Sequence, residues 1–137
     1  MWICANDAFL SIVEPSPRDL DRAKIEYGLH THLAVRARRA EHIRAVFPDA
    51  KIFVKGWEGR DYHARAFLPR AVVAAAIAER VLSIRYGNFK DSVKGRPLHD
   101  AYMRVWGVML SLTPRRKNEP TFDWDDGWPK GRFDEVS

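Results

Sequence analysis

The chain of 137 residues is poor in several of the features that usually disclose a function. It has one cysteine, Cys4, which excludes an internal disulfide framework and any metal site built from cysteines alone. It has no apolar run near the roughly 20 residues that cross a bilayer, since the longest candidate, Ala71–Ala78, is mostly alanine and is closed by Glu79 and Arg80. It has no basic-then-apolar leader, because Asn6 and Asp7 interrupt the stretch Met1–Val13. A reducing, cytoplasmic location without membrane contact is therefore expected. Finally, it carries no catalytic or cofactor motif, so no cofactor is expected and the function is sought in binding.

What the chain does have is a charge split. Residues 1–117 hold 21 Lys and Arg against 12 Asp and Glu, whereas residues 118–137 hold two basic and six acidic residues together with Phe122, Trp124, Trp128 and Phe133. A body of about +9 thus carries a tail of about −4, which points to recognition by surface charge or by a short docking segment. We expect one α+β domain over residues 1–113 and an acidic, aromatic tail over 114–137.

Hydrophobic periodicity sketches the domain. Trp2–Cys4 and Phe9–Val13 are β-favouring runs on either side of the turn-forming Asn6-Asp7. Within Glu14–His32, Ser16-Pro17-Arg18-Asp19 resembles a capped helix start and Gly28 a stop, so an exposed insert with a short helix is expected. Leu33–Arg39 alternates, with Leu33, Val35 and Ala37 on one side and Arg36 and Arg38 on the other. Ala40–Phe47 has helical spacing; Lys51–Lys55 and Tyr62–Leu68 read as a hairpin around Gly56 and Gly59. Arg70–Arg85 is the strongest helix, with a stripe of Val73, Ile77, Val81 and Ile84. A last helix spans about Leu98–Leu112, with Leu98, Tyr102, Val105, Trp106 and Met109 on one face, and Pro114 stops it. The order predicts a small antiparallel or mixed sheet with helices on one face, a ferredoxin-like sandwich.

The segments Asp61–Arg70, Tyr86-Gly87-Asn88-Phe89-Lys90-Asp91-Ser92-Val93 and His99-Asp100-Ala101-Tyr102-Met103-Arg104-Val105-Trp106, with Phe9–Val13 upstream, resemble a family of short bacterial and phage proteins without an assigned activity. The resemblance covers about residues 1–112. It implies a compact domain encoded partly by phages and mobile elements, and no chemistry. The chain departs from the pattern at Glu14–His32 and in the tail.

Three groups of residues are candidate sites. Arg36, Arg38, Lys51, Phe53, Lys55, His63, Arg65 and Phe67 fall on the non-core side of three predicted strands, where cations beside aromatics suit phosphates and bases. The Gly-aromatic-x-aromatic order of an RNA-recognition strand is absent, so a solvated basic face is the plainer reading. The tail aromatics Phe122, Trp124, Trp128 and Phe133 could dock on a partner or on the chain's own domain. Between the two main helices, Tyr86, Asn88, Lys90, Asp91, His99 and Asp100 could gather at a small pocket, or Asn88 could serve as a left-handed helix cap and Phe89 as an anchor. His30 and His32 supply only two ligands, so no metal site is expected; Cys4 with a histidine, or Asp61 with His63, lacks an activating arrangement. The leading expectation is a non-enzymatic interaction protein, monomer or homodimer, that binds a host protein or complex, for instance in a defence system. The alternatives are a nucleic-acid-binding domain using the basic sheet face, and a small enzyme or ligand-binding domain using the Tyr86–Asp100 region.

Overall fold

The alternating segments pair into one open sheet. The computed structural model describes residues 1–26 and 28–114, and in it β1 (Trp2–Cys4), β2 (Phe9–Val13), β3 (His32–Ala37) and β4 (Ala64–Pro69) lie side by side in chain order, every neighbouring pair antiparallel. Five helices accompany them: α1 (Pro17–Ala23), α2 (Ala40–Val46), α3 (Arg70–Leu82), α4 (Phe89–Ser92) and α5 (Arg96–Met109), which runs into a 3-10 turn at Leu110–Leu112. The protein is α+β with an antiparallel sheet.

Side chains alternate across each strand, and the register decides which ones share a face. Leu10, Ile12, Val35, Ala37, Ala64 and Ala66 point to one side and pack with Ile43 and Phe47 at α2 and Val73 of α3, none of them more than 5% exposed. Burying a leucine, isoleucine, valine or phenylalanine contributes about 1.5–3 kcal/mol each, so this is the main core. The opposite side carries a row that crosses the sheet in register: Trp2 opposite Ser11, Ser11 opposite Arg36, and Arg36 opposite Arg65.

That second face is not left to solvent. The short helix expected within residues 14–32 forms at Pro17–Ala23, with Pro17 in its first turn and Ser16 Oγ accepting from the Asp19 amide at 3.1 Å. It ends at Lys24, which takes the left-handed cap at φ 56°, rather than at Gly28. It is not merely an exposed insert, because Leu20 is buried with Ala34, Phe67 and Trp57 in a second, smaller core. Trp57 arrives there from the loop turned by Gly56 and Gly59, whose φ angles of 94° and 75° favour glycine. The strand expected over Lys51–Lys55 does not form. Only Phe53 bridges to Arg65, exchanging two main-chain hydrogen bonds of 2.7 and 2.9 Å.

Among the described residues, two helices leave part of their apolar faces uncovered. Along the α3 stripe Val73 is buried and Ile77 half-buried, but Val81 is 60% exposed and Ile84, just past the helix, is exposed as well. On α5, Tyr102 is buried and its hydroxyl donates to the carbonyls of Ala5 and Ala8 at 2.9 and 2.8 Å, whereas Val105, Val108 and Met109 are exposed. Asn88 does not sit at a left-handed cap. Its φ is −129°, and its Oδ1 accepts from the Lys90 amide at 2.9 Å, so it starts α4 instead of ending α3.

Candidate functional site

The basic face expected from the strand alternation divides into a covered half and an open half. In the covered half Arg65 is 8% exposed and its Nη1 donates to Asp19 Oδ2 at 2.9 Å. The indole of Trp57 donates to the other oxygen, Oδ1, at 3.3 Å, and the Arg65 guanidinium lies 5.6 Å from the Trp57 ring. Desolvation lowers the Arg65 pKa and the Asp19 charge opposes that fall; an arginine remains cationic throughout. Phe53 and Phe67 pack on each other and on Trp57, with ring centroids 5.8 to 6.5 Å apart. Arg65, Phe53 and Phe67 were expected on an outward, ligand-ready surface. They are instead part of the fold, because α1 and the Trp57 loop cover them.

The open half is built from β2, β3 and the segment before β4. The guanidinium groups of Arg36 and Arg38 lie 4.7 and 4.8 Å from the Tyr62 ring, and Arg38 also lies 5.7 Å from Phe9. Arg36 Nη2 donates to Ser11 Oγ at 2.7 Å, and Trp2 meets Phe9 edge-to-face at 5.7 Å. Among the described residues no carboxylate pairs with Arg36 or Arg38. His63 is exposed close by in sequence, before β4. Lys51 and Lys55 are exposed beyond the β4 edge of the sheet, around the Phe53 bridge, with Lys51 Nζ 5.0 Å from the Phe53 ring. The expected single patch is thus two sets of cations separated by the buried Arg65.

A second feature lies at the outer edge of β1, which pairs with no further strand among the described residues. A cleft of about 340 Å³ runs between Ile3 and Ala5 on one side and Ile77, Val81 and Ile84 on the other, with Val46 of α2 also in its lining. Its polar rim includes Arg80, Arg85 and Tyr86. Arg80 fixes one wall: it clasps Asp7 with bonds of 2.6 and 3.2 Å and donates to the Ala45 carbonyl at 2.6 Å, tying α3 to the β1–β2 turn and to α2. Cys4 borders the cleft and is exposed overall, and partial loss of solvent around its sulfur raises its pKa.

Of the residues expected to form a pocket between the main helices, only Tyr86 lines this cleft. Asn88 caps α4, Lys90 Nζ sits 4.3 Å from the Trp106 ring, and His99 Nδ1 is 3.5 Å from Asp100 on the same helix. Asp91 is exposed, its carbonyl accepting from Lys94. These contacts are local to helix ends, and they do not converge on a common space. The tail residues Phe122, Trp124, Trp128 and Phe133 lie outside the described residues. His30 is exposed, 3.9 Å from Glu14, and His32 Nδ1 meets Thr31 Oγ1 at 2.8 Å; among the described residues no group of three potential ligands gathers around a metal position.

Sequence reasoning did not single out Tyr62, Trp2, Asp19 or Arg80 as parts of these surfaces. Trp2 was within reach, since the hairpin register places it beside Ser11. The partner of Arg65 was not, because Asp19 is 46 residues away in the chain. Comparison of the chain with protein-family models, with curated proteins and with solved structures gave no match.

Proposed function

We propose that this protein is a non-enzymatic interaction domain that binds a host protein or complex, of the phage or mobile-element type its sequence resembles, a defence complex being one such target. The observation that carries the reading is the cleft beside β1, where the exposed half of the α3 stripe meets a strand edge that is unpaired among the described residues. Apolar side chains next to free main-chain donors and acceptors are what a short segment of another protein needs in order to dock. The test is affinity capture from a bacterial host lysate with the wild type and with a Val81→Asp/Ile84→Asp variant. A specific protein retained by the wild type and lost with the variant is expected; identical capture by both would remove the cleft as the docking site.

A second reading, nucleic-acid binding, is favoured by the open half-face, where Arg36 and Arg38 stand over aromatic rings with no pairing carboxylate among the described residues. It predicts retention on DNA or RNA that weakens steeply with salt and is lost in Arg36→Glu/Arg38→Glu. Salt-insensitive behaviour would remove it.

A further inference from the structure

The open half of the second sheet face carries rings and cations in one continuous strip. Strand alternation sets Trp2, Phe9, Ser11 and Arg36 on the same side of the sheet, opposite to Ile3 and its wall of the cleft. Trp2 meets Phe9 at 5.7 Å, the Arg38 guanidinium lies 5.7 Å from Phe9 and 4.8 Å from Tyr62, and the Arg36 guanidinium follows at 4.7 Å from Tyr62. The rings differ in what they offer. Tyr62 is buried and serves as the seat of the two guanidinium groups. Trp2 is 67% exposed, yet its strand is fixed beside it, where Met1 and Ile12 exchange two main-chain bonds of 2.8 Å.

An exposed ring beside cations that have no pairing carboxylate among the described residues suits a ligand that is both anionic and aromatic, and a nucleotide is both. Arg36 is half-buried and anchored by Ser11 Oγ at 2.7 Å, whereas Arg38 is exposed and positioned to close on a phosphate. The ladder sets the spacing. Trp2, Ser11 and Arg36 are register partners on three successive strands, so the Trp2 and Arg36 side chains leave Cα positions roughly 10 Å apart. Reading a duplex takes an element that enters a groove, a helix or a two-stranded ribbon. Here the cations lie on the face of a sheet, and α1 with the Trp57 loop stands on the same face beside them, over Arg65. In a duplex the faces of each base are taken by its stacked neighbours, so only an unpaired base can lie flat on Trp2.

We propose that this strip binds single-stranded nucleic acid, with a base stacked on Trp2 and a neighbouring backbone phosphate held by Arg38 and Arg36. The inference rests on the nucleic-acid reading of the open half-face and deepens it, naming the strand state of the ligand and giving the base contact to Trp2. Every base has a π face, so a contact of this kind tolerates any sequence.

The test is fluorescence anisotropy of the full chain with labelled oligo(dT) and oligo(rU) of about 15 nucleotides, and with a duplex of the same length. The single strands should bind more tightly than the duplex, and their affinity should fall steeply between about 50 and 200 mM salt. Trp2→Ala should weaken single-strand binding about tenfold, while Trp2→Phe, which keeps a ring, should retain most of it. Arg38→Ala should reduce the salt slope by about one, and Lys51→Ala/Lys55→Ala, beyond the β4 edge, should leave it unchanged. Thermal melts of each variant separate lost binding from lost folding. Single-strand affinity indifferent to Trp2→Ala, or a duplex bound as tightly as the single strands with both lost in Arg36→Glu/Arg38→Glu, would overturn the proposal and leave the nucleic-acid reading standing. Absence of salt-sensitive binding to every probe would overturn both.

Discussion

Arg36 and Arg65 are direct neighbours on adjacent strands and point to the same side of the sheet, yet they live in different chemistry. Each has a buried Nε without a hydrogen-bond partner. Arg65 is closed over by α1 and Trp57 and is neutralised by Asp19, whereas Arg36 is held by a neutral hydroxyl and the Tyr62 ring and has no pairing carboxylate among the described residues. One position spends its cation on holding the fold together, and the other leaves it available. A row of arginines on a strand therefore does not define a binding surface; what covers each of them does.

That contrast can be broken most directly at Asp19. Asp19→Ala leaves a buried guanidinium unpaired and should lower stability by about 3–5 kcal/mol in urea unfolding, while the double variant Asp19→Leu/Arg65→Met should recover most of the loss. A loss below about 1 kcal/mol from Asp19→Ala would put the two arginines in the same class. Next in size is Tyr102→Phe, which removes the hydroxyl shared by the half-buried Ala5 carbonyl and the buried Ala8 carbonyl and should cost about 1–2 kcal/mol. It also carries a pH signature. Burial raises the Tyr102 pKa above the unfolded value of about 10, so its contribution is intact below about pH 10 and is lost as pH rises beyond it. The alkaline fall in stability of the wild type should be shallower in Tyr102→Phe, as measured by melting between pH 8 and 11. Arg36→Ala gives up one hydrogen bond and a stacked ring, for about 1 kcal/mol, well short of the effect expected for Arg65→Ala. Smallest is Arg38→Glu on the exposed rim, expected within about 0.5 kcal/mol of the wild type by the same melts.

The faces of the sheet were legible in the sequence, because the alternation of Leu33, Val35 and Ala37 against Arg36 reports directly which side each strand buries. So were the starts of α1 and α3, where a capped Ser-Pro and Pro69-Arg70 leave the backbone little choice. The cover over Arg65 was not, since it depends on Asp19 and Trp57 arriving from two loops remote in the chain. Periodicity in α3 marked a stripe from Val73 to Ile84, but among the described residues only its first part packs in the core, and Ile77, Val81 and Ile84 face Ile3 and Ala5 across the cleft. Asn88 suited the end of one helix or the start of the next. The amide of Lys90 decided between them.

The chain-order arrangement of the strands has a kinetic consequence. No strand must be threaded between two that have already paired, so the sheet can grow by successive antiparallel additions, beginning with the four-residue turn between β1 and β2. The bond between Asp19 and Arg65 closes a loop of 46 residues and needs β4 in place first. It acts as a latch that shuts late on an assembled sheet, so weakening it should quicken unfolding far more than it slows folding.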